Sequence, residues 1–310
     1  MTADAFETAR RRLLGIAYRM LGSRVEAEDV VGDVAERWAA ANHEAIREPE
    51  GWLVTVTTRR ALDVLRSARL QRQEYPGVWL PEPVETGTDP GLDVERLESL
   101  TIGFLLMLER LTPLERAVFV LHDALDYPYD VVAEAVGRSP ESCRQALRRA
   151  RRHVSLPVRR SPAERRQAAE AAARFMAVGL GGDVEPLLAA LAPDIVVTSD
   201  GGGIALAGFR PVVGVHRVAR YLRNLGTRLG HDPLVVPCEL NGEPGVVLHT
   251  ADGWVAVSIE TDGDVVTAVR IVANPDKLDR LVASLPGTGD RPGPREALRP
   301  FRHRRGQPVE

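Results

Sequence analysis

The chain has 310 residues, 44% of them hydrophobic and 27% charged, which fits two or three compact domains better than one oversized core or a disordered tract. Forty basic residues against 43 acidic ones give a formal charge of −3, which excludes a protein whose average field coats nucleic acid nonspecifically. Two cysteines, Cys143 and Cys238, are too few for a disulfide scaffold or a thiolate zinc site, so metal and cofactor roles have little support. No apolar run approaches the roughly 18 residues that span a bilayer, and MTADAFETARRRLLG has no apolar signal segment. A cytoplasmic protein without a membrane partner is expected. Lys277 is the only lysine among the basic residues, an arginine bias that a GC-rich genome produces as readily as a need for bidentate contacts.

In chain order, apolar residues from Phe6 to about Gln73 recur at three- and four-residue spacing, which predicts an all-helical module over residues 1–73. Residues 74–98 change character: Pro76, Gly77, Pro81, Pro83, Gly87, Pro90 and Gly91 punctuate them, and seven acids face the single Arg96. That composition predicts an extended acidic linker. A second helical module is predicted over residues 99–156, closing on an arginine run before Pro157 and Pro162. Helical Ala163–Val178 is followed by short alternating runs, Ile195–Thr198, Leu234–Pro237, Gly245–Thr250, Trp254–Glu260 and Val265–Val272, separated by Asn-Gly, Asp-Gly and Gly-Gly signals. An α+β domain over residues 163–283 follows from that pattern. Residues 284–310 mix Pro, Gly and Arg without periodicity and are expected to form a disordered tail.

Within YDVVAEAVGRSPESCRQALRRARRH, a helix over Tyr129–Val136 carries Ala133 where a second helix must approach closely. Gly137 can take the positive φ of a tight turn, and Ser139 with Pro140 supplies an N-cap and a first-turn proline for the next helix. The order is that of a helix-turn-helix. Eight arginines and one acid lie between Gly137 and Arg160, with Arg144, Arg148, Arg151 and Arg152 at helical intervals. Such a helix suits a major groove, with Ser142, Arg144, Gln145 and Arg148 near base edges and later arginines on phosphates. An arginine-rich solvated helix in a plain bundle is the competing reading. Cys143 falls on the opposite side and reads as a small core residue.

In VEAEDVVGDVAERW, Val30, Val31, Val34 and Trp38 form an apolar stripe while Glu26, Asp29, Asp33 and Glu36 line an acidic face, which by itself also fits simple solvation. PEGWLVTVTTRRALDVLRSARLQRQ then places Thr55, Arg59, Asp63 and Arg66 on a polar stripe, with five arginines from Arg59 to Arg72 against Asp63. Trp38 and Trp52 bracket the intervening loop; either core packing or stacking of unpaired bases fits them.

These segments, AEDVV-D-A-RW, then P-GWL-TVTTRRALDVLR, then LTPLERAVFVLHDALDYPYDVVAEAVGRSPESCRQALRRAR, resemble the extracytoplasmic-function sigma factors over the first 156 residues, with region 2 before the linker and region 4 after it. The resemblance implies that Glu28, Asp29, Asp33 and Glu36, with Trp38, dock on the β′ clamp helices of core RNA polymerase, the β subunit being a further partner. It implies that Asn42, Thr55, Thr58, Arg59, Arg60, Asp63 and Arg66 open and read the −10 element of promoter DNA. Arg138, Ser139, Ser142, Arg144, Gln145, Arg148 and Arg149 would read the −35 element. Gly32 departs from the glutamine usual in the core-binding helix, and a mid-helix glycine costs about 1 kcal/mol relative to alanine.

Three further motifs, YPGVWLPEPV at Tyr75–Val84, SDGGG at Ser199–Gly203 and NPDKL at Asn274–Leu278, resemble the subgroup with a fused SnoaL-like domain, a cone-shaped α+β barrel of the nuclear transport factor 2-like class. Asp200 with three glycines permits a tight loop at a strand end, Asn274 and Pro275 can start a helix, and Trp79 offers a rigid anchor. Trp79, Leu80, Pro81, Glu82, Pro83, Asp200, Gly201, Gly202, Gly203, Asn274, Pro275, Asp276, Lys277 and Leu278 are therefore expected to form an interdomain regulatory contact. Ile204 departs from the lysine usual after DGGG. His216, His231 and His249 with Asp194, Asp200 and Asp232 are candidate acids and bases for a polyketide cyclase or isomerase reading. A free helix-turn-helix regulator with a ligand-sensing domain is the other rival. The expectation is a non-enzymatic initiation factor regulated in cis, with an unknown small apolar molecule as a further ligand.

Overall fold

In the computed structural model, residues 2–87, 99–181, 184–229 and 233–298 are described. The chain divides into two compact units, residues 1–74 with 84–160 and residues 75–83 with 161–310.

The first unit is helical, with α1 (Thr2–Leu21), α2 (Arg24–Ala39), α3 (Pro49–Gln73), α4 (Ile102–Leu108), α5 (Pro113–Phe119), α6 (Tyr129–Val136) and α7 (Pro140–Ala150). Helix starts follow local chemistry. Ser23 caps α2 by accepting from the Glu26 amide, and Thr112 with Glu115 forms a reciprocal capping box ahead of Pro113. The separation of this half into two helical modules, read from the linker, does not extend to their packing: Leu53, Leu62 and Val30 share one buried core with Phe104, Phe119, Val132 and Leu147. Helix α3 packs against α5 and α6 as well as α1 and α2.

The second unit is an α+β fold built on a six-stranded sheet in the order β2-β1-β6-β5-β4-β3. Its strands are β1 (Leu191–Asp200), β2 (Val212–Val213), β3 (Leu234–Leu240), β4 (Glu243–Thr250), β5 (Gly253–Asp262) and β6 (Val265–Val272). Only β1 and β6 run parallel; the β3-β4-β5-β6 run is an antiparallel meander. Asn241 (φ 55°) and Gly242 (φ 76°) make the β3-β4 turn that the Asn-Gly signal predicts. Helices α8 (Pro162–Gly181), α9 (Val184–Ala189) and α10 (Val215–Gly226) line the sheet; Phe175 of α8 and Val218 of α10 join its buried strand residues.

The tail is a correction: residues 285–298 carry α11 (Pro294–Ala297), the Trp254 indole donates to the Pro292 carbonyl at 2.7 Å, and the buried Thr288 hydroxyl donates to the Val282 carbonyl. The cause is long-range capping of β5, which no local periodicity records. The rest of the expected tail, residues 299–310, and residues 88–98 of the expected linker lie outside the described residues.

Candidate functional site

The helix-turn-helix closes as its local signals require. Gly137 takes φ 65° after α6, and Ser139 accepts from the Ser142 amide at 3.2 Å to start α7. Cys143, Ala146, Leu147 and Ala150 point into the core, which leaves Arg144, Gln145, Arg148 and Arg149 outward with Arg138 exposed beside them. Arg144 and Gln145 meet Glu141, whose carboxyl is held below its usual range first by the Arg144 hydrogen bond. These are exposed pairs, which contribute little in water. Arg149 bonds Glu115 at 2.7 Å, and Arg151, read as a phosphate contact, instead forks onto Asp123 at 2.8 and 2.7 Å.

On α2, Asp29 and Glu36 are exposed, Glu28 pairs with Arg24 at 2.7 Å, and Asp33 pairs with Arg60 of α3 at 2.5 Å. Residues expected to face polymerase and DNA therefore neutralise each other. Trp38 is buried, its ring 5.3 Å from that of Trp52. Asn42 caps the short turn His43–Ala45, and Asp63 and Arg66 pair on the surface at 3.1 Å.

Thr55 and Thr58 are corrected by the structure. Both are buried, and the Thr58 hydroxyl has no hydrogen-bond partner among the described residues. The polar stripe misleads because α3 is enclosed on several sides. Arg59 is also engaged, donating to the Glu134 and Ala135 carbonyls at 2.8 and 3.4 Å, at the electronegative C-terminal end of α6.

A buried charge network, missed in the sequence, ties the same halves together. Arg116, 2% exposed, donates to the Arg19 carbonyl at 3.1 Å and to Glu109, which also accepts from Arg72 at 2.7 Å. Burial alone would raise the Glu109 pKa; Arg116 and Arg72 outweigh it and hold the carboxyl below its ordinary range. Arg19 donates to the Ser99 hydroxyl at 2.9 Å.

The second unit gathers the three motifs around one carboxylate. Asp200 ends β1 and is buried; it accepts from the Tyr75 hydroxyl (2.6 Å), the Leu80 amide (2.9 Å), the Gly202 amide (2.9 Å) and the Lys277 ammonium (2.8 Å). Lys277 also lies 4.4 Å from the Trp79 ring centroid and 5.0 Å from that of Tyr75. Asn274 donates to the Tyr75 oxygen at 2.8 Å and caps the turn Pro275–Lys277 by accepting from the Asp276 amide. Burial, and then Asp200, push the Tyr75 pKa up, so its hydroxyl stays a neutral donor. Leu80, Pro81, Glu82 and Pro83 are buried, as is Leu278.

The glycines have separate causes. A Cβ at Gly201 would lie 2.4 Å from the Ala205 carbonyl oxygen, while Gly202 (φ +61°) abuts Asn274 and Gly203 (φ +74°) abuts Pro76.

The candidate acids and bases do not converge. Asp194 is exposed, Asp200 serves the motif cluster, and His216 lies by Arg220 and Arg223 on α10. His249 packs edge-on to Trp254 at 4.8 Å, its pKa lowered by burial and then by Arg291. His231 and Asp232 lie outside the described residues. A separate apolar cavity of about 100 Å³ opens between α8, α10 and the sheet, with Asp252 and Arg228 at 3.6 Å among its lining residues.

Family models for Sigma-70 region 2 and Sigma-70, region 4 match residues 5–71 and 103–154. The ECF RNA polymerase sigma factor SigJ of Mycobacterium tuberculosis is 36% identical over 291 residues, spanning 89% of this chain and 93% of that one. The probable ECF RNA polymerase sigma factor SigI of the same organism is 32% identical, spanning 91% and 97%. The crystal structure of SigJ matches with a TM-score of 0.74 at 33% identity, covering 89% of this chain and 98% of that one. No helix among the described residues is long and apolar enough to cross a membrane.

Proposed function

Because the chain belongs to the extracytoplasmic-function family of RNA polymerase sigma factors, which join core polymerase to initiate transcription at promoters, we propose that its second unit governs that activity by gripping the segment Tyr75–Pro83. The observation that carries this reading is the Asp200 carboxylate, which takes two donors from that segment, the Tyr75 hydroxyl and the Leu80 amide. Removing either charge of the buried Asp200–Lys277 pair strands the other, so the grip depends on both.

Within the first unit, Asp29, Asp33 and Glu36 are the residues we assign to the β′ clamp helices, and Arg60 is displaced from Asp33 when polymerase binds. We assign Arg138, Ser142, Arg144, Gln145 and Arg148 to the −35 element, because α7 presents them together. Reading the −10 element requires α3 to leave α6, which frees Arg59 from the α6 carbonyls. The described state is thus a closed form that opens on polymerase. The cavity of the second unit serves binding, because its described lining is predominantly apolar.

Run-off transcription from a cognate promoter with purified core polymerase tests the division of labour. Full-length protein should be required for transcript, and Asp33→Ala should weaken core binding while leaving the fold intact. Tight promoter binding without polymerase would instead mark a free helix-turn-helix regulator.

A further inference from the structure

We propose that the cavity inside the second unit is a receptor for a small uncharged molecule of about one aromatic or alicyclic ring, and that filling it tightens the grip on Tyr75–Pro83; the regulatory consequence rests on the reading above, the binding and coupling do not.

Size and chemistry set the ligand class. The cavity measures about 100 Å³, the scale of an engineered void of roughly 150 Å³ that stays dry and takes up benzene. Phe175, Leu225, Leu248, Val257 and Ile271 supply an aliphatic and aromatic lining. Two polar side chains of the lining are already engaged: the Trp254 indole N–H donates to the Pro292 carbonyl at 2.7 Å, and the Thr250 hydroxyl donates to the Gly253 carbonyl at 2.9 Å. The charged pair Arg228 and Asp252 is solvated, with side chains 53% and 37% exposed. An ion entering the interior would lose its hydration without a partner, so the cavity selects neutral ligands.

Position sets the coupling. Ala205 and Ala273 line the cavity, and both are bonded to the loop that carries the grip. The Ala205 amide donates to the Gly201 carbonyl at 2.9 Å, and the amides of Ala273 and Asn274 donate to the Asp200 carbonyl at 2.7 and 3.1 Å. The Asp200 side chain holds Tyr75, Leu80 and Lys277 from the other side of the same residue. Wall atoms facing a void lack dispersion partners, and a ligand that supplies them favours the geometry in which the grip is made.

The chain offers its own reporter, because Lys277 is its only lysine and its ammonium is committed to the grip. Full-length protein is treated with acetic anhydride, with toluene as probe and benzoate as the charged control, and Lys277 acetylation is followed by peptide mass spectrometry beside the melting temperature. Toluene should raise the melting temperature and slow acetylation about fivefold or more, the lower end of ordinary allosteric coupling. Benzoate should do neither, and Leu225→Trp and Val257→Phe, which fill the cavity in different places, should each abolish the toluene response. No rise in melting temperature with toluene overturns the receptor; a rise that both filled variants retain places the ligand elsewhere and overturns it equally. A rise without slower acetylation overturns the coupling. If slowing is observed while transcription is indifferent to the grip, the inference stands and the regulatory reading falls.

Discussion

Gly32 occupies an exposed position of α2 where an added Cβ meets nothing within 4 Å. Gly32→Ala should therefore stabilise the protein by about 1 kcal/mol, read from urea unfolding, and Gly32→Gln should strengthen binding to core polymerase. At α7, Arg148→Ala should weaken promoter binding by the holoenzyme; a uniform loss across sequences with a salt slope lowered by about 1 identifies a phosphate contact, a sequence-selective loss a base contact. Glu109 carries a pH prediction. Its folded-state pKa lies below the ordinary 4.5, so its contribution is fully present above about pH 4.5 and is lost as pH falls through the folded value. Glu109→Gln should cost about 3 kcal/mol near neutrality by stranding buried Arg116, and the gap from the native protein should narrow on acidification below that point.

Among the elements, those coded by neighbouring residues were legible in the sequence. The turn at Gly137, the Ser139-Pro140 start of α7 and the Asn241-Gly242 hairpin each need only a few adjacent residues to specify their backbone. Cys143 fell on the inner face because helical period alone groups it with Ala146, Leu147 and Ala150. Contacts between distant residues were not legible. Arg59 on the α6 carbonyls, Arg116 in the core and Pro292 under Trp254 join segments 38 to 97 positions apart, and nothing in the local pattern marks them. The same ignorance misled the reading of Thr55 and Thr58, whose exposure depends on what covers α3. Asp200, Asn274 and Lys277 were found through family motifs, since their convergence on Tyr75 spans 125 to 202 positions. At this scale Arg59→Ala should loosen the α3-α6 contact, seen as faster amide exchange across α6 in the free protein; unchanged exchange would place the closure in the Arg116 network alone.

For the molecule as a whole, the near-neutral charge resolves into opposed segments: arginines concentrate at Arg59–Arg72 and Gly137–Arg160, acids on α2 and between residues 74 and 98. Ion pairs such as Arg60 with Asp33 and Arg149 with Glu115 silence part of that field, so free protein should bind DNA weakly. On the proposed reading the linker sets how far the two helical regions can part. Residues 75–83 held in the second unit withdraw roughly 30 Å of extended reach from it, at about 3.3–3.6 Å per residue. On the proposed reading the grip restrains opening, and its release should favour the polymerase-bound form. The decisive measurement is run-off yield from one promoter at matched concentrations of native protein and Lys277→Ala, each with core polymerase. Release of Tyr75–Pro83 predicts a severalfold higher yield for the variant; equal or lower yield from a folded variant would contradict regulation through the grip.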